Sequence, residues 1–397
     1  MHIDVNNAFL SWTAVYLLEH GSKYDIRNSY AVIGGDETSR RGIVLAKSMP
    51  AKKLGVKTGE TLYSARKKCK VLKTYPSNYA YYQEMSKKLF DLIKTYTPDI
   101  EQASIDECYL DYTNIKSLYG DPYEFALKLQ KEIYDKLKFT VNIGIANNKL
   151  CAKMASDFEK PNKIHTLYMD EVKTKMWPLD VGDLFGIGKK SKEKLNIFHI
   201  NTIEDLANTD TSYLYKYFKN QAKSMIEWAN GIDNSRVVSE EVDLKSISNE
   251  ITLKKDIDDK VKLYDYLYEL SEKVGLRLRN DKKYANVIGV ILKDKYFKRR
   301  THQKKLNNPI HTTGDIYKYS KEVLNEMWSD DEVRLIGIRL EKLTDTLTVQ
   351  SSLFDTEKVQ EKNNLEDTLD KLKTKYGNKI IKRAKGNKNE HRNNKRN

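Results

Sequence analysis

Three acidic residues in two short segments have the types and spacing that phosphoryl-transfer chemistry requires. Asp4 lies in the apolar opening MHIDVNNAFLSW, and Asp106 and Glu107 are adjacent in SIDECYLD, residues 104–111. Such a reaction needs its developing charge neutralised, and two Mg²⁺ ions about 3.5–4 Å apart do this best when shared carboxylates bridge them. A regular strand aims adjacent side chains at opposite faces. Asp106 and Glu107 therefore serve one centre only at a hairpin turn, with Ile100–Ser104 and Cys108–Tyr112 as its antiparallel arms. Spacing alone favours a plainer reading, a pair of solvated turn acids.

The elements that must position these acids read as mixed α/β over residues 1–165. FTVNIGI (139–145) alternates as a strand should. Helical spacing runs over 80–95 and 122–138, where Phe125, Leu129, Ile133 and Leu137 form a core-facing stripe, and again over 147–158 until Pro161 stops it. Residues 168–232 read as short lysine-rich helices. Periodicity fades across GIDNSRVVSEEVDLK (231–245), the best linker. Residues 246–345 return to α+β, with helical stretches at 260–279 and 314–328 among strand-like runs such as 285–292 and 333–340. After 345 the pattern thins, and the Lys, Arg, Asn and Gly tail from Gly386 is expected to be disordered. Leu365, Leu369, Leu372 and Tyr376 nonetheless have the spacing of a short amphipathic helix.

At 397 residues the chain calls for two to four domains. A net charge of +14 points to a polyanionic partner. Residues 346–397 hold 13 Lys/Arg against 7 Asp/Glu, so more than half of the excess lies on the folded part. Cys69, Cys108 and Cys151 are scattered and form no CxxC pair, which argues against a disulfide framework or zinc site and fits a reducing cytosol. The apolar stretch 8–18 lacks a basic lead and is too short to span a bilayer, so the expectation is a cytoplasmic protein without a membrane segment.

Resemblance decides between the readings of the acids. SIDECYLD resembles the signature on the palm hairpin of Y-family DNA polymerases, the low-fidelity, lesion-bypass class. IDVNNAFLSW (3–12) resembles their first palm strand, and GIANNKLCAKMASDFEKP (144–161) their third characteristic segment. The motifs occur in the family's order, and the likeness extends to about residue 345, with the bacterial DNA polymerase IV or V type as the nearest flavour. It implies an α+β multidomain, right-hand polymerase. The palm would be 1–18 and 76–167, small fingers 19–75, and a helical helix-hairpin-helix thumb 168–232. A linker at 233–245 would lead to an α+β little finger at 246–345 and a clamp-binding, basic tail at 346–397. The implied activity is template-directed addition of deoxynucleotides to a primer 3′ end, by two-metal nucleotidyl transfer without proofreading, from a monomer.

Carried over by position, Asp4 and Asp106 would bridge both Mg²⁺ ions, and Glu107 would complete the site that activates the primer 3′-hydroxyl. The Val5 carbonyl would add a ligand. Phe9 falls where the family places a steric gate against the ribose 2′-hydroxyl, and Lys160 where a triphosphate-binding lysine is expected. By periodicity alone Phe9 is a core aromatic and Lys160 a solvated charge. SMPAKKLGVKTG (48–59) departs from the family, placing Met49 and Lys52 where a Tyr and an Arg usually clasp the triphosphate. Lysine neutralises phosphate as a point charge rather than a bidentate fork, and Met49 donates no hydrogen bond; Lys47 is a candidate substitute. Only three residues precede Asp4, a short run-up for a central strand, which raises the expectation of a start upstream of Met1.

LFGIGKKSKEKL (184–195) reads as the helix-hairpin-helix, with Gly186 and Gly188 letting backbone N–H groups approach a DNA phosphate and Lys189 and Lys190 adding charge. Lys295, Lys298, Arg299, Arg300 and Lys304, beside Tyr296 and Phe297, read as a second DNA-backbone patch rather than a merely solvated face. QSSLF (350–354) resembles the motif by which bacterial polymerases bind the sliding clamp, through Gln350, Leu353 and Phe354. Two other classes remain open: a DNA-binding scaffold without turnover, and another palm-fold enzyme such as a nucleotide cyclase. The intact carboxylates count against the first, and the DNA-binding motifs against the second.

Overall fold

The computed structural model describes residues 1–37, 40, 42–240, 243–346, 366, 368–373, 375–377 and 381. The chain forms two compact units, the first comprising residues 1–37 and 41–242 and the second residues 38–40 and the chain from 243.

In the first unit, β1 (His2–Val5) leads into α1 (Ala8–Glu19). A small sheet follows, built from β2 (Ala31–Gly34), β3 (Val44–Lys47) and β4 (Lys73–Tyr75) in the order β3-β2-β4, with α2 (Met49–Lys53) and α3 (Leu62–Lys68) between its strands. The chain then runs through α4 (Tyr79–Lys94), β5 (Ile100–Gln102), β6 (Glu107–Leu110), α5 (Lys116–Tyr119), α6 (Pro122–Leu137), β7 (Val141–Ala146), α7 (Lys149–Asp157) and β8 (Ile164–Leu167). Strands β5-β6-β1-β7-β8 make a five-stranded sheet with β1 at its centre, antiparallel to both neighbours.

The period of two along β1 sorts its side chains. Ile3 and Val5 enter the main core with Leu89, Ile93, Leu129 and Ile133 of α4 and α6. His2 and Asp4 take the opposite face, and His2 Nδ1 lies 2.8 Å from Ser156 Oγ on α7. The stripe on α6 behaves as its spacing requires: Phe125, Leu129 and Ile133 are buried, each contributing on the order of 1.5–3 kcal/mol, and Leu137 packs at the edge. Its start is set by Pro122 in the first turn and by the Asp121 carboxylate, which accepts from the N–H groups of Tyr123 and Glu124. Four short helices close this unit, α8 (Lys189–Ile197), α9 (Ile203–Ala207), α10 (Thr211–Phe218) and α11 (Gln221–Ala229), around Leu195, Ile203, Leu206, Leu214 and Met225.

The second unit contains β9 (Ser246–Ile257), α12 (Lys260–Asn280), β10 (Tyr284–Asp294), β11 (Arg299–Ile310), α13 (Thr313–Met327) and β12 (Val333–Thr344). Its antiparallel sheet has the order β11-β10-β12-β9. Leu263, Leu267, Leu270, Val274 and Leu278 of α12 share a core with Ile288, Val290, Ile336, Ile338 and Leu340. In the tail, residues 368–373 and 375–376 are helical. Of the apolar stripe, Leu369 is half-buried, Leu372 and Tyr376 are exposed, and Leu365 lies outside the described residues. The buried Arg279 guanidinium also holds Asp370 at 2.6 Å and Glu366 at 3.2 Å. Among the described residues no helix is long and apolar enough to cross a membrane.

Candidate active site

The register of the central sheet brings the three acids together. Asp4 of β1 lies opposite Glu107 of β6, and Val5 N–H donates to the Asp106 carbonyl at 3.0 Å. Strands β5 and β6 pair as a hairpin, Ile100 with Leu110, so Asp106 falls in the bend and Glu107 opens the strand. That geometry releases the two neighbours from strict alternation. Ser104 Oγ–H donates to Asp106 Oδ1 at 2.6 Å, an Asx-like clasp that fixes the bend.

The face of the sheet carrying these acids is covered by α7. Asn148 caps it by accepting from Cys151 N–H. It can lie this close because Gly144 of β7 has no side chain: a Cβ there would sit 1.9 Å from the Ala152 carbonyl oxygen. The approach places Lys153 Nζ 2.6 Å from Glu107 Oε2 and 3.4 Å from Asp4 Oδ2. Lys160, just past the helix end, reaches Asp4 Oδ1 at 3.0 Å and Asp157 Oδ1 at 2.8 Å. His2, fully buried, has Nε2 3.3 Å from Glu107 Oε2.

Electrostatics divide the acids unequally. The His2 imidazole, followed by the Lys153 ammonium, holds Glu107 down at about 2. Burial pushes Asp106 up; the Ser104 hydroxyl opposes this, and the Asp4 and Glu107 charges add to the rise. Burial works against the charge on Lys153, but its bond to Glu107 and the charges of Asp4 and Asp157 keep it firmly an ammonium. The same contest at Lys160 is won by Asp4 and Asp157. Asp106 is thus raised where its neighbour Glu107 is lowered.

Among the described residues no three of His, Cys, Asp and Glu converge as a ready metal cage. Two ammonium groups engage the carboxylates instead. The donor chemistry fits a hard divalent cation all the same, since Asp4, Asp106, Glu107 and the Val5 carbonyl offer only oxygen, and the raised Asp106 is the group such a cation would relieve.

The other sequence candidates fall at distinct places. Phe9 is half-buried, stacked on Tyr82 at 4.8 Å and 10°, and bridges the main core to the small core between α1 and the three-stranded sheet. Lys52 is exposed on α2, while burial and then the Lys52 charge lower Lys47, whose Nζ donates to Thr58 at 3.0 Å. The two cations therefore share one patch with Met49 at its helix start. Gly186 has φ +95° and a Cβ there would meet the Trp228 ring at 2.7 Å, so only glycine fits. Gly188 opens α8 with nothing within 4 Å of a built Cβ, and Lys189 and Lys190 follow in the exposed first turn.

The run 295–304 is less bare than its composition implies. Lys298 lies in the β10–β11 turn, while Arg299 pairs with Glu250 at 2.5 Å, Arg300 with Asp331 at 2.7 Å, Lys295 with Glu332 at 2.6 Å and Lys304 with Glu322 at 2.8 Å. Gln350, Leu353 and Phe354 lie outside the described residues. Sequence reasoning overlooked His2, Lys153 and Asp157. A signal existed for two of them: 153, 157 and 160 are spaced i, i+4, i+7, one face of a helix.

Comparison with known proteins bears on the family of the whole chain. The chain matches the impB/mucB/samB family over residues 3–157, its C-terminal domain over 244–353, and the HHH motif of the IMS family over 170–200. It is 48% identical over 385 residues to a DNA polymerase IV of Clostridium acetobutylicum, covering 96% of each chain. It is 35% identical over 390 residues to a DNA polymerase IV of Clostridium kluyveri, again covering 96% of each. Among solved structures, a Y-family polymerase chimera, Dbh-Dpo4(243-245)-Dbh, matches with a TM-score of 0.76 at 26% identity, over 87% of this chain and 99% of that one. An insertion ternary complex of Dbh DNA polymerase matches with a TM-score of 0.58 at 25% identity, over 87% and 99%. Likeness on this scale, spanning nearly the whole chain and carried by three ordered family segments, places it in the Y family of translesion DNA polymerases, which are DNA-directed DNA polymerases.

Proposed function

We propose that the chain extends a primer 3′ end opposite damaged template by two-metal nucleotidyl transfer, with low fidelity and without proofreading. The observation that carries this reading is that Asp4 lies opposite Glu107 in a central antiparallel sheet while Val5 N–H bonds the carbonyl of Asp106, which lies 102 positions after Asp4. Asp4, Asp106, Glu107 and the Val5 carbonyl would hold two Mg²⁺ ions, which supply charge neutralisation at the phosphates and acidify the primer hydroxyl. The bend clasped by Ser104 would hold the Asp106 carboxylate for this role. Lys160 and the Lys47–Lys52 patch would take the triphosphate, and Phe9, braced by Tyr82, would stand against the ribose 2′ position.

The five-stranded sheet with α1, α4, α6 and α7 serves as palm, the three-stranded sheet as fingers, and α8–α11 as thumb. In the thumb, the open start of α8 would hold primer–template phosphates without reading sequence. The second unit serves as little finger, with Lys298, Arg299 and Arg300 along the duplex. Arg299 and Arg300 must exchange their Glu250 and Asp331 partners for phosphate, which weakens their net contribution. Gln350, Leu353 and Phe354 would tether a monomeric, cytoplasmic enzyme to a sliding clamp. Asp106→Ala and Glu107→Ala should each lower primer extension with Mg²⁺ by at least 10³-fold, with primer–template affinity nearly unchanged. Wild-type turnover in Glu107→Ala would defeat the two-metal assignment.

A further inference from the structure

We infer that Lys153 is a built-in counter-ion of the catalytic carboxylates, competing with the divalent cation that Glu107 and Asp4 would hold. This rests on the metal-holding role proposed above. The Lys153 ammonium bridges Glu107 at 2.6 Å and Asp4 at 3.4 Å, and its side chain is only 12% exposed. A bare cluster of Asp4, Asp106 and Glu107 would pay heavily in like-charge repulsion within a half-buried site. With Lys153 in place one of the three negative charges is balanced, and that balance is shared between Glu107 and Asp4.

An incoming cation must therefore displace an ammonium as well as shed water. The displaced group has somewhere to go. Asp157 stands one helical turn beyond Lys153, at 3.4 Å, and is 47% exposed, so a modest side-chain rotation toward solvent exchanges one carboxylate partner for another. Lys160 does not play this part in the same way, because its ammonium pairs with Asp4 and Asp157 while Glu107 is held by Lys153. The consequence is an enzyme that holds a divalent cation weakly at the Glu107 side until substrate phosphates add their own negative charge. Lys153 is a positioning residue in this sense: it sets when the site loads and takes no part in bond making.

The test uses the full chain without DNA, titrated with Mn²⁺ and followed by loss of the free-ion paramagnetic resonance signal. Lys153→Met should bind Mn²⁺ on the order of tenfold more tightly than wild type, the effect of removing one nearby cation in a partly screened site. Lys153→Arg, which keeps the charge, should bind as wild type. Unchanged or weaker binding in Lys153→Met would overturn the inference and make Lys153 a brace for Glu107. Glu107→Gln separates the two levels of argument. If it does not weaken Mn²⁺ binding, the metal-holding role itself fails and the inference fails with it; if it does, only the Lys153 result decides. Should Lys153→Met not fold, the wild-type protein still answers. Mass-spectrometric acylation of Lys153 should accelerate several-fold on saturating with Mn²⁺ as the amine leaves Glu107, and an unchanged or slower rate would refute the displacement.

Discussion

Gly144→Ala isolates the packing that sets the site, because it adds one methyl group and touches no reacting atom. The new Cβ would lie 1.9 Å from the Ala152 carbonyl oxygen and 2.6 Å from Ser156 N, both backbone atoms of α7, where ordinary contact begins at 3.4 Å. No side-chain rotation relieves a clash with backbone, so α7 must withdraw from the sheet by about 1.5 Å at that point. Overpacking of this kind costs about 3 kcal/mol, the upper part of the usual range. Lys153 follows Ala152, and a shift of that size stretches its 2.6 Å bond to Glu107 beyond hydrogen-bonding reach. Lys160 moves with the same helix end, and displacements near 1 Å in a positioned site lower rates by about 10²-fold. Urea midpoints followed by circular dichroism should therefore fall, and single-turnover extension should slow about a hundredfold. Primer–template affinity, measured by anisotropy, should stay within about threefold, because the proposed DNA contacts lie on other elements. Gly314→Ala is the control: nothing lies within 4 Å of its Cβ, and on helix propensity it should be neutral or stabilising by up to about 1 kcal/mol. If Gly144→Ala matched wild type in midpoint and rate, the close approach of α7 to β7 would not be what places the lysines.

Other outcomes follow from named contacts. Phe9→Ala should raise the ratio of ribonucleotide to deoxynucleotide incorporation at least tenfold in single-nucleotide assays, and an unchanged ratio would leave Phe9 as the core aromatic that its stacking on Tyr82 also allows. Leu353→Ala with Phe354→Ala should leave synthesis on short oligonucleotides untouched and abolish stimulation by added clamp on long primed templates, since two such side chains supply about 1.5–3 kcal/mol each before ordering costs. Burial, and then its hydrogen bond to Glu19 at 2.9 Å, raises the Tyr81 phenol above its ordinary value of 10.0. A raised pKa in the folded state means stability complete below pH 10 and lost as pH rises beyond it, when the unfolded chain ionises first. Urea midpoints should thus drop between pH 9 and 11 less steeply in Tyr81→Phe than in wild type.

Residue types and local spacing were enough to reveal several features of this chain. The stripe Phe125, Leu129, Ile133 is a property of one helix, so a period of four exposed it without any partner in view. The hairpin between β5 and β6 was legible because Asp106 and Glu107, as neighbours, can share a centre only at a bend. Glycines at 186 and 188 likewise announced a tight turn before a helix. The motif likeness then named the chemistry.

What the sequence left undecided involves charges that meet across long separations. Lys153 and Glu107 are 46 positions apart, and only the register of β1 with β6 and the closeness of α7 to Gly144 bring them to 2.6 Å. The run at 295–304 looked like a bare cationic stripe because its acids lie elsewhere in the chain: Glu250 on β9, Glu322 on α13 and Asp331 just before β12. The tail helix advertised an apolar face, but its spacing gave no sign that Glu366 and Asp370 would meet a buried arginine 91 residues before Asp370. Hydrophobic period is a local quantity, set by the geometry of a single element. Charge compensation is a pairwise quantity over distances of a few ångströms, and folding alone determines which pairs those are.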